Sequence, residues 1–155
     1  MPRTKEISAG LLVFRQTGAG IEVLLGHPGG PFWVKKDDGA WTIPKGLVES
    51  GDDLLSAARR EFSEETNLVI DGEVFALSPV NQKSGKVVHA FACEADIKLD
   101  TFASNTFEIE WPPRSGRHQS FPEIDRIAYF VLPVAMKKII AYQQPFLREL
   151  EECLT

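Results

Sequence analysis

The stretch RREFSEETNL, residues 59–68, reads as the closing turns of an amphipathic helix that gathers three glutamates on one side. Glu61, Glu64 and Glu65 stand at i, i+3 and i+4 and therefore project from a common face. Leu55, Ala58 and Phe62 make the apolar stripe of the same segment, which predicts a helix over 53–66. Asp52 or Ser50 can cap its start, and Asn67 is the kind of residue that ends a helix in the left-handed conformation, with Leu68 supplying the apolar contact after it. The macrodipole disfavours acids at this end. Carboxylates ~6 Å apart repel by about 0.7 kcal/mol per pair in water, and by nearly 3 kcal/mol at an effective dielectric of ~20. Such a cluster is either a solvated face or a place where a divalent cation reverses the sign of the interaction. Magnesium or manganese suits carboxylates combined with waters and phosphates.

Outward from the helix, ISAGLLVFR (7–15) and IEVLLGH (21–27) are β-rich apolar runs around a turn-like break, and they read as paired strands. AWTIP (40–44) is a short strand candidate. EVFALSPVNQ (73–82) and KVVHAFACEADI (86–97) flank KSG and predict a hairpin. Residues 98–122 read as a long irregular region, RIAYFVL (126–132) as a late strand, and 133–142 and 145–154 as helices split by Pro145. Antiparallel-looking strand groups around one central helix predict an α+β fold, an α/β/α sandwich with a mixed β-sheet.

The 155 residues suit one domain, 1–155, with a real core. Hydrophobic content of 43% and charged content of 25% are those of a soluble globular protein. The formal net charge of −5 argues against a broad nucleic-acid or anionic-membrane surface. Cys93 and Cys153 have no metal-type spacing and read as reduced thiols. With no apolar leader and no run of about 18 apolar residues, the expectation is a cytoplasmic protein.

From Gly46 the chain runs GLVESGDDLLSAARREFSEETNL, residues 46–68. This resembles the signature box of the Nudix hydrolases at Gly46, Arg60, Glu61, Glu64, Glu65 and Leu68, with Phe62 in an aliphatic slot. Asp52 stands where the family has glutamate, and Asn67 where it has glycine. The resemblance implies a Nudix-type fold that cleaves a nucleoside diphosphate linked to another group, with Mg2+ or Mn2+ as cofactor. It implies that Glu64 and Glu65 ligate metal with the Gly46 carbonyl, and that Glu61 ligates metal or orients the attacking water. Arg60 would brace the carboxylates. The shorter Asp52 brings into question any contact to Arg60 that a glutamate would make, and is as compatible with a plain helix cap.

A further acid from a later loop often completes such sites in the family; Glu123 is the first choice, then Glu110 and Glu108. Lys45, in IPKG (43–46), looks like the lysine of family members that hydrolyse dinucleoside or diphosphoinositol polyphosphates. WPPRSGRHQSFP (111–122) carries Arg114, Arg117 and His118 without an acid, so it is either a polyanion-binding loop or a plain surface loop. Trp41, Trp111, Phe32 and Trp33 are candidates to stack a base, with core packing as the alternative for each. His27 and His89 lie in strand-like contexts and read as structural.

The leading expectation is therefore a metal-dependent pyrophosphohydrolase of a small nucleotide such as a dinucleoside polyphosphate. The alternatives are a hydrolase of oxidised or noncanonical nucleoside triphosphates, or a non-catalytic nucleotide-binding module. A homodimer is compatible with the family but has no signature in the sequence.

Overall fold

A computed structural model describes residues 6–155. Strand β1 (Ile7–Thr17) is its spine. Its alternating side chains are apolar on both faces, which is the pattern of a strand covered on both sides. Leu12 and Phe14 enter one core, while Ala9, Leu11 and Val13 enter the other. β2 (Gly20–Pro28) folds back antiparallel with Phe14 opposite Val23, and β9 (Ile124–Val131) adds antiparallel to β2. On its other edge β1 pairs in parallel with β6 (Val87–Glu94), which carries the short strands β4 (Val74–Ala76) and β5 (Val80–Asn81). β3 (Lys45–Leu47) pairs antiparallel with the start of β1, Gly46 opposite Ala9.

Helix α1 (Leu54–Thr66) covers one face of this mixed sheet through Ala57, Ala58 and Phe62. Helices α2 (Leu132–Lys138) and α3 (Gln144–Leu154) cover the other, through Leu132, Ala135, Phe146, Leu147 and Leu150. The α+β architecture with a mixed sheet is the one expected, and its three layers each bury a face that water would otherwise meet.

Several local expectations are corrected. Within 98–122, β7 (Thr106–Glu110) and β8 (His118–Pro122) form a separate antiparallel hairpin where an irregular region was expected. Residues 40–44 make only isolated bridges, Thr42 with Gly26 and Trp41 with Ile139. The 73–82 strand is broken into β4 and β5. The C-terminal helices separate at Ile139–Ile140, and Pro145 sits in the first turn of α3, where its missing N–H has no role to lose. Asp53, rather than Asp52 or Ser50, caps α1 by accepting the Ser56 N–H. Asn67 does adopt the left-handed conformation (φ 62°), and its N–H closes on the Ser63 carbonyl. Cys93 is buried, Cys153 is exposed, and both are free thiols.

Phe62 has no exposed surface and joins α1 to the sheet. Phe62→Ala should lower stability by about 3–5 kcal/mol in urea unfolding, the usual loss for a buried Phe; a loss under about 1 kcal/mol would show that the α1 layer is not held by this contact.

Candidate active site

The site is built where α1 passes the β3 edge. Glu61 projects from the helix directly onto Gly46, and a Cβ at position 46 would fall on the Glu61 carboxylate. Only glycine lets strand and carboxylate approach this closely. Burial raises the pKa of Glu61, and the charges of Glu64 and Glu123 add to the rise while Arg60 opposes it. Glu65 lies deeper. Burial pushes its pKa up to about 8, with Glu61 and Glu123 adding, while the Lys45 charge and backbone N–H pull the other way. Its Oε2 is buried without a hydrogen-bond partner. Glu64 is about half exposed.

Arg60 spans the acidic face. It donates to Asp52 Oδ2 at 3.1 Å and lies 3.6 Å from Glu61 Oε1 and 4.0 Å from Glu64 Oε1. Asp52 therefore reaches Arg60 despite its shorter side chain, because it also accepts the Glu49 N–H and so holds the preceding turn close. Hydrogen bonding to Asp52 holds the Arg60 guanidinium more firmly protonated.

Glu123 comes from the far side of the chain, and backbone hydrogen bonds set its place. The Ala103 and Asn105 N–H groups donate to the Thr66 and Glu64 carbonyls, satisfying the open C-terminal end of α1. The Glu123 N–H then donates to the Asn105 carbonyl, and the Ile124 N–H to Ser104 Oγ. Residues 103–105 thus form a strap between α1 and β9. Sequence reading missed this strap, whose residues Ala-Ser-Asn carry no periodic signal.

Of the candidate residues, Lys45, Gly46, Arg60, Glu61, Glu64, Glu65 and Glu123 converge. Glu110 does not join them; its Oε1 accepts the Arg114 N–H in the hairpin turn. Glu108 sits exposed on the same hairpin. Arg114 and Arg117 are exposed at the hairpin tip. The expectation that Trp41 binds substrate is corrected. Trp41 is only 4% exposed, its Nε1 donates to Asp37, and His27 and Phe130 meet its ring edge-to-face. His27 is buried between Asp125, at 2.8 Å, and the Lys36 carbonyl, so its place is structural. His89 lies within β6 opposite Ala9.

Among the described residues, no three His, Cys, Asp or Glu side chains already stand as a ready-made metal cage. Magnesium keeps most of its waters and takes only one or two carboxylates, so it does not require one. The donors present do fit a hard cation: an orphaned buried carboxylate oxygen on Glu65 and a second acid, Glu61, whose pKa is raised by burial and then by its acidic neighbours.

Comparison with known proteins gives the family of the chain. The NUDIX domain family model matches residues 4–135, and the chain belongs to the Nudix family. The C. elegans Ap4A hydrolase structure, in a binary complex, is 25% identical with a TM-score of 0.63, over 95% of this chain and 97% of that one. The NUDIX domain of Shewanella oneidensis NrtR, complexed with ADP ribose, is 15% identical with a TM-score of 0.68, over 99% of this chain and 90% of that one, and shares the fold. An RNA pyrophosphohydrolase from Caulobacter vibrioides is 40% identical over 53 residues, which is 31% of this chain and 31% of that protein. The chain thus matches about a third of that curated relative's length. Among the described residues, no helix is long and apolar enough to cross a membrane.

The raised Glu65 pKa has a signed consequence in the metal-free protein. Unfolded, the group titrates near the ordinary 4.5; folded, near about 8. The protonated form favours the fold, so its contribution is complete below the unfolded pKa and is lost as pH rises toward 8. In EDTA, the melting temperature should fall between pH 5 and 8, and Glu65→Gln should flatten that slope. A wild-type slope matched by the variant would remove Glu65 as its source.

Proposed function

We propose that the chain is a divalent-metal-dependent hydrolase cleaving the pyrophosphate link of a nucleoside diphosphate joined to a further group, with dinucleoside polyphosphates as the leading substrates. The observation that carries this reading is the partly buried Glu61 beside the deeper Glu65, both raised in pKa, the latter with an unpartnered buried oxygen. A helix gains no stability from that arrangement; a cation relieves it. Glu64 and Glu65, with the Gly46 carbonyl, would hold Mg2+ or Mn2+. When bound, such an ion neutralises phosphate oxygens and lowers the pKa of a bound water.

The chain's own groups supply the rest. Glu61 and Glu123 border the buried carboxylate and can accept a proton from the attacking water. Arg60 keeps Glu61, Glu64 and Asp52 from separating under mutual repulsion. Lys45, whose charge acts on Glu65, adds the cation that a bridging phosphate needs. The likeness to Ap4A hydrolase over nearly the whole chain supports the dinucleoside polyphosphate preference. A 5′-phosphorylated RNA end is the second reading, favoured by the 53-residue stretch shared with the RNA pyrophosphohydrolase.

The test is phosphate and nucleotide release from a panel of dinucleoside polyphosphates, nucleoside triphosphates, ADP-ribose and 5′-triphosphorylated RNA, with Mg2+ or Mn2+ and in EDTA. Metal-dependent turnover is expected, and Glu64→Gln should reduce it at least a hundredfold with the fold intact. Tight nucleotide binding without turnover under every condition would make the chain a binding module instead.

A further inference from the structure

The β7–β8 hairpin and the loop after β2 meet outside the carboxylate site. The Gly29 N–H donates to the Glu123 carbonyl at 3.0 Å, and a Cβ at position 29 would fall on the Pro122 carbonyl. The loop is thus seated directly on the chain that carries the fourth acid. Phe32 follows Gly29 by three positions, so its Cα lies within about 11 Å of that glycine by chain reach. The Phe32 ring is 61% exposed, yet it packs edge-to-face on Trp111 at 5.3 Å. A large aromatic held in place while its surface stays open is a platform without a partner.

Charge is arranged around the same platform. Lys35 and Lys36 continue the loop, and Lys36 Nζ lies 4.9 Å from the Trp33 ring centroid. Arg114 and Arg117 occupy the hairpin turn that begins at Trp111, whose N–H donates to the Arg117 carbonyl. Among the described residues, none of these four cations makes an ion pair. Most nearby acids are already engaged, Asp37 and Asp38 by Lys138, Asp125 by His27 and Glu110 by the Arg114 N–H, which leaves Glu108 exposed on β7. In a chain of net charge −5, this is an open cationic and aromatic crest beside a phosphate-cleaving centre.

We infer that the crest is the substrate's nucleoside-binding end: Phe32 and Trp111 take the nucleobase, and Arg114 and Arg117 take the phosphates that lead from it to the carboxylates. This rests on the reading of the chain as a nucleotide pyrophosphohydrolase. The aromatic pair supplies stacking that tolerates any base, and the arginines supply charge, so length of the phosphate chain is selected more strongly than base identity. Long polyphosphates that reach both crest and carboxylates are favoured over nucleoside diphosphates.

The test uses the full chain and diadenosine tetraphosphate. In EDTA, where no turnover occurs, titration followed by indole N–H NMR signals should move the Trp111 signal and leave that of the buried Trp41 in place. With Mg2+, Phe32→Ala and Trp111→Ala should each raise KM about tenfold with kcat within about threefold, at unchanged melting temperature. Arg114→Gln with Arg117→Gln should raise KM for the tetraphosphate more than for ADP-ribose and flatten its salt dependence. A wild-type enzyme that turns over nothing refutes the hydrolase reading, while the NMR titration still judges the crest. An unmoved Trp111 signal, or KM within twofold of wild type in both aromatic variants, overturns the inference. So does a crest whose signals answer an RNA oligomer but not the dinucleotide.

Discussion

The constraint on which the structure turns is the burial of a carboxylate among carboxylates. Glu65 lies against Lys45 and Glu61, mostly withdrawn from water, with one oxygen unanswered. Everything near it serves to hold that unfavourable group in place. Gly46 makes room for Glu61 by having no side chain, Arg60 ties Asp52, Glu61 and Glu64 together, and the 103–105 strap brings Glu123 beside them. Like charges gathered this closely are the kind of arrangement that a cation among them would relieve.

The sheet makes the gathering possible. Because β1 is apolar on both faces, helices can pack on both sides, and α1 presents Phe62 to the sheet while its glutamates turn along the β3 edge. Loops and the β7–β8 hairpin lie at the sheet's ends. Glu61, Glu64 and Glu65 sit on α1, while Glu123 lies at the turn between β8 and β9 and the exposed aromatics lie on connecting segments.

Much of this was legible in the sequence, for reasons that differ by residue. The helix and its glutamates were readable because helical period and charge coincide over Leu55–Glu65, and Asn67 was readable because few residues accept its conformation. Glu123 was a candidate because the family resemblance implies an acid from a later loop, and Glu123 stands just before the late strand. The Asp52–Asp53 pair shows the opposite: two adjacent acids look alike in a pattern, and only the fold gives one the helix cap and the other Arg60. Trp41 was misread because its burial comes from backbone pairing with Lys138 and Ile140, contacts that no local window contains. The β7 strand, Thr-Phe-Glu-Ile-Glu, does alternate with period two, but the Pro-Pro turn after Trp111 obscured its partner.

One buried side chain links an early segment of the chain to a late one. Gln143 has no exposed surface, and its Oε1 accepts the Ile43 N–H across 100 positions. Ile43 precedes the strand that carries Lys45 and Gly46, so this lead-in, already paired to Gly26 and Leu11, gains its last buried hydrogen bond only from a residue far later in the chain. Through most of synthesis, β2 also shows an open edge where β9 will add. The acid-bearing helix α1 therefore precedes in the chain the strap, strand β9 and Gln143, the segments that complete its surroundings.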